Sequence, residues 1–148
     1  MNQNFLLFSA HSLKARAVMA LLTFDIHSWL WQVLHASHNE MDSLPETIGD
    51  LSALTDLRLD SNRLASIPIE LGYLTSLTSV ALHNNPLRSP PPEIIARGEQ
   101  ETVHYLHGFT MARKTFELDL TGLRLSEFPE QVRQVSDHFE IKSRIVTR

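Results

Sequence analysis

Residues 54–64, LTDLRLDSNRL, and residues 77–87, LTSVALHNNPL, carry the same spacing of apolar side chains, and that spacing decides how the chain folds. In the first, Leu54, Leu57, Leu59 and Leu64 surround Asn62; in the second, Leu77, Val80, Leu82 and Leu87 surround Asn85. One equal interval earlier, segment 31–41, WQVLHASHNEM, holds Trp31, Leu34, Ala36 and Met41 around Asn39, a weaker copy in phase with the others. The linking stretches SLPETIGDLSAL and SIPIELGYLTSL also match, with Pro45 and Pro68 at one offset and apolar residues at Ile48, Leu51, Leu71 and Leu74.

Around Leu57 and Leu59 the alternation has period two, which places those side chains on one side of a short strand and Asp56, Arg58 and Asp60 on the other. One unit of this length cannot bury its apolar side by itself. Stacked units can, by forming a parallel sheet over a continuous leucine core, with the arc from Pro68 to Leu74 returning the chain. Each Asn falls where the strand bends away, so its amide satisfies backbone groups that the turn leaves unpaired. Stacked Asn39, Asn62 and Asn85 then form a structural ladder.

This frame, Leu-x-x-Leu-x-Leu-x-x-Asn-x-Leu in three phased copies, resembles the leucine-rich-repeat family. The resemblance implies an α/β solenoid with a curved parallel sheet on the concave side and short helices or turns on the convex side. The string NNPLRSPPPEIIARGEQETVHYL, from Asn84 to Leu106, is similar to the junction that closes repeat arrays in intracellular Ras-group-related members. That likeness implies small GTPases or their regulators as partners.

Four regions follow along the chain. Residues 1–30 read as a helical leader or cap, with Ala15, Val18, Met19 and Leu22 at the spacing of an amphipathic helix. Lys14 and Arg16 lie between two apolar patches rather than before them, which argues against a secretory signal, and the run from Ala17 to Phe24 is too short to span a membrane. Residues 31–90 hold three repeats. Residues 91–114 form a helical junction, in which Pro92 with Glu93 starts a helix, Gly98 breaks it, and Gly108 stops a second turn system. Residues 115–148 hold a degenerate fourth repeat and tail, with Leu118 and Leu120 in the strand, Leu123 in the Asn place, and Phe128–Pro129 at the arc. The chain enters the frame only at Trp31 and ends as Ile145 and Val146 would start another strand. The first 30 residues therefore read either as a cap on the array or as an unrelated leader on a truncated gene model, and a further reading is a truncated product with no independent role.

Composition narrows the function. With 13 Lys plus Arg against 17 Asp plus Glu, the chain lacks the basic excess of a nucleic-acid binder. There is no Cys and no Asn-x-Ser/Thr sequon, which fits a cytoplasmic setting and leaves no thiolate chemistry. No glycine-rich phosphate loop occurs, so no nucleotide or other cofactor is expected. Eight histidines invite a metal, but the pairs His35 with His38 and His104 with His107 lack a third ligand at motif spacing, so no metal site is expected. The row Ser37, Asp60, His83 has the residue types of a hydrolase triad in the wrong order, since a triad needs His between Ser and Asp. With strands about 4.8 Å apart, Ser37 and His83 are two spacings from each other.

What remains is the open side of the sheet, with columns Val33, Asp56, Ser79, Glu117; His35, Arg58, Ala81, Asp119; and Ser37, Asp60, His83, Thr121. The expected function is a protein-binding adaptor or scaffold without catalysis, its docking residues being His35, Asp56, Arg58, Asp60, Ser79 and His83. Residues 39–60 contain six acids (Glu40, Asp42, Glu46, Asp50, Asp56, Asp60) against Arg58, which points to a partner with a basic patch. The competing expectation is a regulatory, non-catalytic module of a phosphatase, kinase or ubiquitin-ligase complex.

Overall fold

The computed structural model describes Phe5–Leu7, residues 30–115, and residues 117, 118, 120, 123–126, 129 and 132. It is a mixed α/β structure around a small parallel sheet of strands β1 (Phe5–Leu7), β2 (Val33–His35), β3 (Asp56–Arg58) and β4 (Ser79–Ala81), in sequence order. Val33 pairs with Asp56 and Asp56 with Ser79, so the steps from β2 to β3 and from β3 to β4 cover equal lengths of chain, the interval that also separates the asparagines. Leu34, Leu57 and Val80 point into the core, while their neighbours face out.

The three frames run through the same course. After the strand, one residue takes the left-handed conformation: His38 (φ 54°), Ser61 (φ 57°) or Asn84 (φ 55°), each directly before the frame's Asn. In the first two frames the chain then extends to Pro45 or Pro68, whose fixed φ leads into a short 3₁₀ helix, η1 (Glu46–Asp50) or η2 (Ile69–Tyr73). The return is stitched to the preceding turn by Thr55 N–H to Gln32 O at 2.8 Å and Thr78 N–H to Thr55 O at 2.9 Å. The hydroxyls of Thr55 and Thr78 bond the same carbonyls, at 2.9 and 3.1 Å. Leu51, Leu54, Leu57, Leu59 and Leu64 are fully buried, which makes this core the main source of stability.

Beyond β4 the pattern changes. Pro92 opens helix α1 (Pro92–Ile95), and Gly98 at φ 107° turns the chain into α2 (Glu99–Thr115). Gly108 does not stop that helix. The buried side formed by Tyr105, Leu106, Phe109 and Ala112 continues past it, and this packing outweighs the roughly 1 kcal/mol that a mid-helix Gly costs. The helix crosses η2 so closely that a Cβ on Gly72 would lie 2.4 Å from the Leu106 carbonyl oxygen. A Cβ on Gly49, one frame earlier, would lie 2.7 Å from Glu70 O of the next arc. Glu70 with Arg113 (2.7 Å) and Lys114 over the Tyr73 ring (5.7 Å) complete the contact.

Within residues 1–30, the described segment Phe5–Leu7 is a strand rather than a helix. It covers the edge of β2 with Phe5 opposite Val33, a longer step along the chain than the one that relates the other strands. The helix expected over Ala15–Leu22 lies outside the described residues. In the fourth frame Leu118 and Leu120 are buried and Leu123 and Leu125 partly so. There Arg124, the residue after Leu123, takes the left-handed conformation (φ 48°). Arg97 to Leu123 O and Glu93 to Ser126 hold the segment against α1. Among the described residues no helix is long and apolar enough to cross a membrane.

Candidate functional site

The outward residues of β2, β3 and β4 converge on one polar surface because parallel register stacks equivalent positions side by side. His35 on β2 donates from Nε2 to Asp56 Oδ2 on β3 at 2.8 Å. Arg58 approaches the same carboxylate, with Nη2 at 3.4 Å. Burial acts to raise the Asp56 pKa, but hydrogen bonds from His35 and Ser79 and the charges of His35 and Arg58 outweigh it and hold the carboxyl below its usual range.

A second carboxylate, Asp60, lies one step along. Ser37 donates its hydroxyl to Asp60 Oδ1 at 2.5 Å, His83 Nε2 stands 3.7 Å from Oδ2, and His38 Nε2 stands 3.9 Å from it. On its other side His83 Nδ1 is 3.5 Å from Glu99 Oε1 of α2. Ser37, Asp60, His83 and Glu99 thus form one polar row across the residues just past the three strands and the start of the helix. The carboxylate, not an imidazole, holds the Ser37 hydroxyl, so Ser37, Asp60 and His83 do not stand in the order of a hydrolase triad.

The asparagines carry the frame beneath this surface. Asn62 donates from Nδ2 to Leu59 O and to Ala36 O of the preceding turn, both at 2.9 Å, and its Oδ1 accepts from Met41 N–H at 3.1 Å. Asn85 repeats this with Leu82 O and Leu59 O (2.9 Å) and Leu64 N–H (3.0 Å). Asn39 donates to Ala36 O at 2.9 Å, while its buried Oδ1 has no partner among the described residues.

The two histidine pairs do not come together as ligand sets. His35 and His38 go to different carboxylates. His107 gives its Nδ1 proton to Gly72 O at 2.8 Å. With His104 it lines a cleft of about 290 Å³ between η2 and α2, floored by Leu74, Leu77 and Val103. Among the described residues, no group of three or more metal-ligating side chains is present.

His35, Asp56, Arg58, Asp60, Ser79 and His83, grouped by their columns in the sequence, do share one surface. Glu99, Gln100 and His38 join them there without having been expected. Gln100 Nε2 bonds Thr78 O at 2.6 Å and Glu99 Oε1 accepts from Leu82 N–H at 2.7 Å, both on the outer edge of β4. Glu99 and Gln100 occur once, so no period marks them, whereas the left-handed position of His38 recurs at Ser61 and Asn84. No family model matches the chain, and no curated protein is significantly similar to it.

Proposed function

We propose that the chain is a short leucine-rich-repeat solenoid that binds another protein through the outward surface of β2, β3 and β4, as a cytoplasmic adaptor without a catalytic step. The observation that carries this reading is the fixed grid of polar side chains over a backbone tied by the leucine core and the asparagine bonds. A rigid grid loses little conformational freedom on docking, which favours recognition of a complementary surface. Arg58 and His83, with 52% and 63% of their side chains exposed, are the contact residues, and the less exposed Asp56 and Asp60 hold them in place.

The test is capture of partners from cytosol, followed by affinity measurement with the purified partner. Arg58→Ala with His83→Ala should weaken binding at least about tenfold, in the range of an interface hot spot, while the thermal transition stays nearly unmoved. Undiminished affinity in that variant, with the fold intact, sinks the assignment of this surface.

A further inference from the structure

The cleft between η2 and α2 is framed by bonds that also fix its polarity. Gly72 has no Cβ to keep α2 away, and its carbonyl oxygen accepts from His107 Nδ1 at 2.8 Å and from the Thr110 hydroxyl at 3.3 Å. Two helical turns earlier, Gln100 Nε2 donates to Thr78 O at 2.6 Å. A carbonyl oxygen can only accept, so these bonds settle which atoms of the two side chains carry the protons. The neutral His107 ring has its proton on Nδ1 and its lone pair on Nε2, and the Gln100 amide gives its N–H to the backbone and keeps Oε1 as an acceptor. Both side chains line the cleft, and among the described residues no carboxylate, Lys or Arg lines it. The floor is apolar, because Leu74 and Leu77 are 2% and 8% exposed and Val103 packs against the same core.

We propose that this cleft binds a small free molecule with an apolar ring and a hydroxyl or N–H donor, of the phenol or indole kind, the ring resting on Leu74, Leu77 and Val103 and the donor reaching His107 Nε2. The volume, about 290 Å³, stands at the lower end of small-molecule sites, which sets the occupant at one ring or a fused pair. The lining decides the rest. A cation finds no carboxylate there, and an anion would face two acceptors. A purely apolar ring would cover the His107 lone pair and leave it without a bond, whereas a donor answers it. Because His107 and Gln100 are tied to the backbone before a ligand arrives, little side-chain freedom is lost on binding. The cleft shares only Gln100 with the polar surface of the strands, so this inference stands or falls apart from the protein-binding reading.

The experiment titrates the full chain, labelled with nitrogen-15 for NMR, with phenol and with anisole, whose methyl group removes the donor and keeps the ring, at about pH 8, where an ordinary imidazole is neutral. Phenol should shift the amide signals of residues 72–77 and 100–107 and saturate with a dissociation constant on the order of 1 mM. Anisole should bind about fivefold more weakly, the worth of one hydrogen bond. His107→Phe keeps a ring in the wall and removes the acceptor, while Thr110 still serves Gly72 O, so it should erase the preference for phenol. Thr75→Trp, at an exposed position on the rim, should block the mouth and abolish the shifts from both compounds. The dispersion of the same spectra checks folding. If His107→Phe does not fold, the comparison of phenol with anisole in the parent and the block by Thr75→Trp decide. Shifts confined to other residues, no saturable shift, equal affinity for the two compounds, a phenol preference kept by a folded His107→Phe, or a Thr75→Trp variant that behaves like the parent overturns the proposal.

Discussion

Asn62 satisfies two carbonyls and one N–H that strand and turn leave open, and it does so across two successive turns of the chain. Replacing it by Ala leaves Met41 N–H without that acceptor in a buried place, at about 1–3 kcal/mol, while Ala36 O keeps its bond from Asn39 and Leu59 O its bond from Asn85. Asn39 is the internal control, since its Oδ1 has no partner among the described residues and its Nδ2 serves only its own turn. Asn62→Ala should therefore lower the stability read from urea unfolding by about 1–3 kcal/mol, and Asn39→Ala, which leaves no such N–H unpaired, by clearly less. Equal losses would mean that the bonds between turns contribute nothing. These residues were legible in the sequence because they recur at a fixed interval, and a recurring Asn at a bend has few other uses. The partners of Asp60 were legible only as columns. That Ser37 would take one carboxylate oxygen while His38 and His83 approach the other depends on side-chain reach, which spacing does not encode.

At the scale of elements, the far edge of β4 is met, among the described residues, by side chains and by no fifth strand. Glu99 Oε1 stands where a neighbouring strand would present a carbonyl, and the Gln100 amide stands where it would present an N–H. An open strand edge is a template for pairing with another chain, so these two residues at the start of α2 both finish the sheet and guard it. Glu99→Ala should cost about 1–2 kcal/mol, because Leu82 N–H loses a charge-assisted bond, and should raise self-association in sedimentation measurements. Glu99→Gln keeps an acceptor and should restore most of both. A monomeric Glu99→Ala variant of parental stability would show that the edge needs no such closure. The end of the array was the least legible part. Gly108 read as a helix stop because Gly usually weakens helices, and nothing in the local sequence announced that burial against η2 would override it. Gly49 and Gly72 did carry a signal, since they recur at the frame interval, but their purpose, letting backbones approach within reach of a carbonyl, emerges only from packing.

Across the whole molecule, the strands place carboxylates and cations in alternation over one surface, and this couples stability to acid. The Asp56 carboxyl is the clearest case. Burial works against its charge, yet the bonds from His35 and Ser79 and the nearby positive charges hold it below the ordinary value. The unfolded chain therefore takes up the proton first as pH falls, so unfolding becomes favoured. The stabilisation from this group is fully present above about pH 5, where an unperturbed carboxylate is ionised, and disappears as pH drops through the folded-state value. Asp56→Asn keeps an acceptor for His35 but removes the titration. Its urea midpoint, followed from about pH 6 down to about pH 2.5, should fall less steeply than that of the parent across the acid limb. Parallel acid limbs would mean that the surface carboxylates sit in folded and unfolded chains alike, and that the network on β2, β3 and β4 is too loose to orient Arg58. The same measurement therefore bears on recognition, because a guanidinium presented to a partner is only as well placed as the carboxylate beneath it.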